Sequence, residues 1–325
     1  MALRHLINAD GSPFNEKELA QLTRELDALT PDKRQQQRNE NAQAIARHAG
    51  VQILIVAGPG TGKSTLFKQR ILYWLQQNPD AKILALSFVR KLVADLNADI
   101  QNDVTLTDKQ KAQVDVFTLH KYARSMVEQS HGTREWKFAP HFRIIGQFWK
   151  TIVWNDVLLV TGQNDHKRFS WPAFEKQLHD DKLETVAEWT ALNKSFFTLC
   201  QFYNAAGFSD LILRARIALA ERPELNEHHL FIIDEYQDFN AAEENLLEQI
   251  TVETEGKLIV GDDDQVLYET LKSGKASLIR AIYNDKNVVN AMLPFCSRCD
   301  FHIVCAASAF INQAPDPIQP CFEKS

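Results

Sequence analysis

The chain has 325 residues, 45% of them hydrophobic and 24% charged, with a formal net charge of -6. That length allows one large domain or two to three modest ones, and the composition excludes an unfolded polyelectrolyte. The acidic balance excludes a wholly basic nucleic-acid binder, while leaving room for a local basic patch.

In chain order, Leu19, Leu22, Leu26 and Leu29 recur at helical spacing, so a helix is expected over residues 16–29. Thr30 and Pro31 read as the cap and first turn of a second helix that runs through Arg47 and stops near Gly50. An apolar strand over 51–56 leads into a glycine-rich loop and a helix over 63–77. Residues 82–88 read as a second strand, 90–100 as a helix and 114–117 as a third strand. These strands are continuous apolar runs rather than alternating ones, which predicts a parallel sheet with helices on both faces.

From about residue 120 to 222 the strand signal fades and helical stretches carry many aromatics, among them Phe148, Trp149, Trp154, Phe174, Trp189, Phe196, Phe202 and Tyr203. These are either stacking platforms for bases or a small helical core built from large side chains; the core is the expectation. The sheet pattern resumes at 229–233, followed by a helix over 241–252, a strand over 257–260, a helix around 278–283 and an apolar-faced helix over 299–311. Three prolines between Gln313 and Pro320 end it. Cys296 and Cys299, with Cys305, Cys321 and His302 nearby, lack the second ligand pair of a zinc site, and an odd count of five cysteines makes no disulfide framework. No apolar run approaches the ~20 residues needed to cross a bilayer. Residues 1–10 lack the apolar core and cleavage site of a secretory signal, so a soluble cytoplasmic protein with no membrane partner is expected.

The chemistry concentrates at strand ends. In the loop Ala57-Gly58-Pro59-Gly60-Thr61-Gly62-Lys63-Ser64-Thr65, glycines let backbone N–H groups wrap a phosphate, and Lys63 supplies positive charge to the β- and γ-phosphates. Ser64 can hold Mg²⁺, with Thr65 just behind it. Ala57 stands where the usual pattern begins with glycine. Asp234 and Glu235 follow a buried strand; Asp234 can hold a magnesium shell and Glu235 can align and deprotonate an attacking water. Gln265, after Asp262, Asp263 and Asp264, can contact a γ-phosphate or water; the three crowded aspartates need solvent or a cation.

Taken together, residues 57–64, Phe231-Ile-Ile-Asp-Glu-Tyr-Gln-Asp-Phe-Asn240 and Val260-Gly-Asp-Asp-Asp-Gln-Val-Leu-Tyr268 resemble, in order and spacing, motifs of the UvrD/Rep-like superfamily 1A DNA helicases. The resemblance implies an α/β, RecA-like P-loop NTPase that uses ATP and Mg²⁺. It implies DNA contacts at Phe88, Lys91, Thr118, His120 and Tyr268, with Arg90 a weaker candidate. It implies coupling of hydrolysis to DNA through Gln237 and Asp238, and an arginine, Arg298, reaching across a cleft to the γ-phosphate. The adenine-reading glutamine of the family falls at Gln43, with Gln37 a rival in that loose register. The implied organisation is a first RecA-like segment (domain 1A) at 1–120, a helical 1B-like insertion at 121–222, a second 1A segment at 223–289 and the start of a truncated second RecA-like domain at 290–325.

The chain also departs from the pattern. Leu119 replaces a frequent phenylalanine, and Tyr268-Glu-Thr-Leu-Lys272 keeps the tyrosine but lacks the base-stacking aromatic and the arginine. The resemblance stops soon after Arg298, so the expected protein is the N-terminal part of a helicase that moves 3′ to 5′ on single-stranded or partly duplex DNA. A C-terminal half or a protein partner would complete the ATP cleft, and this chain alone would hydrolyse ATP weakly at most. The alternative is a naturally short, regulatory or partner-completed module of the kind found in phage defence or mobile elements. A small-molecule kinase or GTPase fits poorly, because N-K-x-D is absent: Asn193-Lys-Ser-Phe196 fails at its fourth position.

Overall fold

The structure, a computed structural model, describes residues 17, 31–58, 60–131, 137–139, 141–183, 189–262, 276–293, 296 and 298. The helices expected over 16–29 and 299–311 lie outside this set.

Helix α1 (Pro31–Ala46) precedes β1 (Gln52–Ala57), the phosphate-loop candidate and α2 (Lys63–Gln77). Then come β2 (Ile83–Leu86), α3 (Arg90–Gln101), α4 (Asp108–Ala112), β3 (Val114–Phe117) and α5 (Leu119–Ser130). The middle of the chain holds β4 (Arg143–Ile144), α6 (Gln147–Thr161), α7 (Trp171–His179), α8 (Thr190–Phe202), β5 (Ala205–Ala206) and α9 (Asp210–Glu221). The chain returns through β6 (Leu230–Ile233), α10 (Ala241–Ile250), β7 (Gly256–Gly261), α11 (Ala276–Tyr283) and β8 (Val289–Leu293).

Six strands form one sheet in the order β3-β2-β6-β7-β1-β8, and every pairing in it is parallel. The side-chain period of two divides each strand between two cores. Leu54, Val56, Leu84, Leu86, Phe231 and Ile233 face α5, α9 and α10. Ile53, Ile55, Ile83, Ala85, Leu230 and Ile232 face α1, α2 and α3. Both faces are therefore covered, as the continuous apolar runs predict. β2 stops at Leu86 rather than 88, because the Ser87 hydroxyl turns to the Asp234 carboxylate and also accepts from Val89 N–H.

Three strands escape the sequence reading. β8 extends the sheet beyond β1, so the first sheet continues past residue 290, where a second unit was expected to begin. Asn290 interrupts its apolar run and donates to Tyr283 O at 2.8 Å. The two-residue pair β4/β5 is too short to leave a period.

The helical region has its own core, in which Trp154, Phe174, Trp189 and Phe196 are buried. The core expectation thus holds for these aromatics, whereas Phe148, Trp149 and Phe202 are exposed. The helices at either end of the 121–222 stretch, α5 and α9, pack on the sheet instead. Arg214 on α9 joins the two cores: its guanidinium lies 4.8 Å from the Phe138 ring and 4.5 Å from the Phe197 ring, and it pairs with buried Asp210 at 2.5 Å. No helix among the described residues is long and apolar enough to cross a membrane.

Trp154 stacks on Phe174 at 4.7 Å and its Nε1–H donates to Phe169 O at 2.9 Å. Replacing it with alanine is expected to cost about 3–5 kcal/mol. Trp149→Ala on the exposed face of the same helix should stay within about 0.5 kcal/mol. Urea denaturation of both variants measures the contrast.

Candidate active site

The loop after β1 is closed by Thr61, whose buried hydroxyl donates to Gly58 O at 2.8 Å. Gly60 (φ 71°) and Gly62 (φ 96°) take left-handed conformations that disfavour a side chain. Gly62 then caps α2, which presents Lys63, Ser64 and Thr65 to a cavity of about 680 Å³. Ala57 is the last residue of β1 and is fully buried in the core below α2, which explains why a methyl group is accommodated where glycine is usual. Pro59 lies outside the described residues.

At the end of β6, Asp234 is buried and accepts from Ser87 Oγ at 3.2 Å, while Glu235 adopts a left-handed backbone (φ 52°). For a non-glycine residue that conformation is strained and marks a functional candidate. It aims the carboxylate at Lys63: Nζ donates to Glu235 Oε1 at 2.6 Å and lies 3.8 Å from Asp234 Oδ1. Gln237 Nε2 holds the other Glu235 oxygen at 2.9 Å, and its Oε1 accepts from Asp262 N–H at 3.0 Å, linking the ends of β6 and β7. Asp238 is buried in the same turn, its N–H donating to Glu235 O at 3.0 Å.

The electrostatics follow from burial. Desolvation pushes the Asp234 carboxyl up, to about 7, against the opposing pull of Lys63; Glu235 adds to the rise. Burial alone would depress Lys63, but Asp234, Glu235 and Asp262 outweigh it and hold the ammonium above its usual range. Asp234 Oδ1 has no hydrogen-bond partner among the described residues. A buried carboxylate oxygen in that condition beside a hydroxyl-bearing phosphate loop is suited to accept from the water shell of a hard cation, and Ser64 is the adjacent hydroxyl.

Other expected residues fall in several places. Arg298 lines the cavity and packs on the loop itself: a methyl group built on Gly60 would meet Arg298 Cβ at 2.5 Å. Lys91, expected at DNA, lines this same cavity. Phe88 rests on Phe239, ring centroids 4.5 Å apart. Thr118 caps α5, accepting from Lys121 N–H at 3.3 Å. His120 stacks on Phe208 at 3.9 Å and sits 3.7 Å from the Glu243 carboxylate. Phe88, Thr118 and His120 follow the carboxyl ends of β2 and β3, the same sheet edge as Asp234. Gln43 is exposed and does not line the cavity; Gln37 is half-buried and adjoins Arg38, which does. Gln265 and Tyr268, with Asp263 and Asp264, lie outside the described residues.

Motif reading passed over Ser87, which orients Asp234, and Arg38. Helical spacing could have found the latter: Arg38 precedes the buried Ala42, Ile45 and Ala46 by four, seven and eight positions, on the face of α1 that packs against the sheet. Gln43 falls off that face.

A family model described as UvrD/REP helicase N-terminal domain matches residues 38–287. Similar curated proteins include a probable DNA helicase II homolog of Mycoplasma genitalium, 24% identical over 84% of this chain and 42% of its own length. The ATP-dependent DNA helicase PcrA of Staphylococcus epidermidis is 26% identical over 71% of this chain and 34% of its own length. DNA helicase II of Salmonella typhimurium is 22% identical over 80% and 38%, respectively. The chain spans less than half the length of each of these three relatives.

Because the Asp234 carboxyl is raised in the folded state, ionising it there costs stability. That cost is absent below the unfolded-state carboxylate range and complete above about pH 7. Asp234→Asn should therefore raise thermal stability in metal-free buffer at pH 8 by about 1–2 kcal/mol. The gain should shrink towards zero as the pH falls to about 4. Melting curves across that range check both the sign and the window.

Proposed function

The chain belongs to the UvrD/REP helicase N-terminal domain family, and on that premise we propose that it is the ATP-binding portion of a DNA helicase whose hydrolysis of ATP drives 3′-to-5′ movement along single-stranded DNA. The observation that carries the proposal is the convergence of Lys63, Asp234 and Glu235 at the mouth of one cavity, from elements 171 positions apart in sequence between Lys63 and Asp234.

The loop from Ala57 to Thr65 binds the phosphates, its N–H groups and Lys63 answering their charge. The orphaned Asp234 oxygen and the Ser64 hydroxyl fit a magnesium ion, which when bound neutralises charge on the β- and γ-phosphates. Glu235, steered by its left-handed backbone and braced by Gln237, orients the attacking water and accepts its proton. Gln237 reaches from Glu235 to the backbone after β7, so a shift of either strand end is felt at the base; this is the physical content of its coupling role, with Asp238 fixing the same turn.

Single-stranded DNA passes over the carboxyl edge of the sheet, where Phe88, Thr118 and His120 lie, with Tyr268 and Gln265 assigned by the family pattern. In this reading residues 1–120 and 223–289, extended by β8 to Leu293, form the first RecA-like domain, 121–222 the 1B-like insertion, and the residues after β8 the approach to a second RecA-like domain. The motor stroke needs that second wall, from a C-terminal half or a partner chain.

ATP turnover by this chain, with and without single-stranded DNA, tests the reading. Binding of Mg·ATP with slow turnover is expected. Lys63→Ala should weaken nucleotide binding by about tenfold or more. Glu235→Gln should keep binding and lose about 10²-fold or more in hydrolysis. Nucleotide affinity unaffected by Lys63→Ala would refute the assignment of the loop.

A further inference from the structure

Arg38 belongs to none of the motifs above, yet it sits over the phosphate loop. A methyl group built on Gly62 would stand 2.6 Å from Arg38 Nη2, and the residue lines the same cavity as Gly60, Lys63 and Ser64. Its backbone is firmly placed. α1 buries Ala42, Ile45 and Ala46 against the sheet side of the fold, Asn41 donates to Met292 O at 2.9 Å, and buried Arg70 donates to Ala46 O at 3.0 Å at the end of the helix.

The position sets a second cation beside the start of α2. α2 starts at Lys63 with its N-terminal partial positive charge facing the cavity, and it has neither a side-chain cap nor an acidic residue in its first turn. Lys63 adds a full positive charge. Among the described residues the Arg38 guanidinium meets only Gln35 Oε1, at 3.5 Å, the limit of a hydrogen bond. Glu235, the nearest acid of the catalytic pair, is already engaged by Lys63 and Gln237. Glu235 and Asp234 answer Lys63, and Asp95 also lines the cavity. Arg38, however, makes no ion pair among the described residues, so a guanidinium beside a helix N-terminus is left suited to a further anion. Asp234 Oδ1, buried in the same site with no hydrogen bond and only Lys63 Nζ at 3.8 Å, suits a ligand that brings positive charge of its own, as a polyphosphate carrying a divalent cation does.

We propose that Arg38 is a phosphate-binding residue: from α1, on the loop's own domain, its guanidinium grips non-bridging oxygens of the nucleotide polyphosphate alongside Lys63. The inference rests on the nucleotide-binding reading. It gives the site a planar, two-pronged donor in cis, whatever the opposite wall of the cleft supplies.

The test uses the full 325-residue chain and displacement of a fluorescent ATP analogue by Mg·ATP, Mg·ADP and inorganic triphosphate. Arg38→Ala should weaken all three competitors by a similar factor, about tenfold or more, with Arg38→Lys in between. Arg38→Gln, which keeps the side-chain bulk, should behave like the alanine variant with an unchanged melting temperature. A loss that spares inorganic triphosphate would assign Arg38 to the base and overturn the proposal. So would unchanged affinities in Arg38→Gln, or losses that appear only where the melting temperature falls. Lys63→Ala separates the two readings: if it is impaired while Arg38→Gln is not, only the Arg38 assignment fails. If neither is impaired, the nucleotide site itself fails.

Discussion

One ammonium group ties the molecule's chemistry to its fold. Lys63 lies on the helix after β1, yet its carboxylate partners follow β6, and β7 runs between those two strands. For Nζ to reach Glu235 at 2.6 Å, the strand ends must lie level and the intervening strand must end without bulk. The parallel register supplies the first condition, pairing Ile55 with Val260 and Ile233 with Ile259. Gly261 supplies the second: a methyl group there would lie 2.6 Å from both Gln237 Oε1 and Ile279 Cδ1. A side chain at that point would displace Gln237 and with it the brace on Glu235.

The helical region depends on the sheet through a different device. Its aromatic core is separate from the sheet cores, and the buried Arg214–Asp210 pair stands where they meet, its guanidinium between Phe138 of one and Phe197 of the other. Such a pair contributes little net stability compared with apolar side chains of the same volume, but removing one partner strands the other charge. Its value lies in fixing how α9 sits between the two cores, because α9 also packs against α10, the helix that follows the catalytic turn.

Much of this was legible in the sequence where a local rule and the tertiary fold agree. The parallel sheet could be read because strands buried on both faces lose their alternation, and the glycine-rich loop after β1 because its glycines are demanded by left-handed backbone. The lysine and the acid pair could be read because their spacing from strand ends is fixed by that backbone. The illegible parts have physical causes. β8 carries Asn290 inside a short edge strand, so its apolar signal breaks. Gln43 satisfied a distance along the chain, and that it is exposed rather than lining the cavity follows from the register by which α1 docks, which distance alone does not give. Lys91 was expected at DNA from the family pattern, and the placement of α3 also brings it to the lining of the cavity beside Lys63, which the pattern does not show. Arg298, expected to reach the γ-phosphate, lines the cavity with Lys63 and packs on Gly60, a contact no motif spacing announces.

The charges of the site oppose the stability of the fold that holds them. Asp234 is buried deeply enough that ionising it is unfavourable, Glu235 keeps a backbone conformation most residues avoid, and Arg38 and Lys63 face the positive end of α2. None of these arrangements is the best available to a folded chain by itself. Each would become favourable with the proposed ligand, which carries negative oxygens to the cations and a cation to Asp234. If that ligand is the proposed one, both its halves would be needed together, and the site would discriminate by chemistry. On the proposed reading, a bare phosphate would leave Asp234 with Lys63 alone, a bare cation would add to the positive charge, and a metal-bearing polyphosphate would answer both.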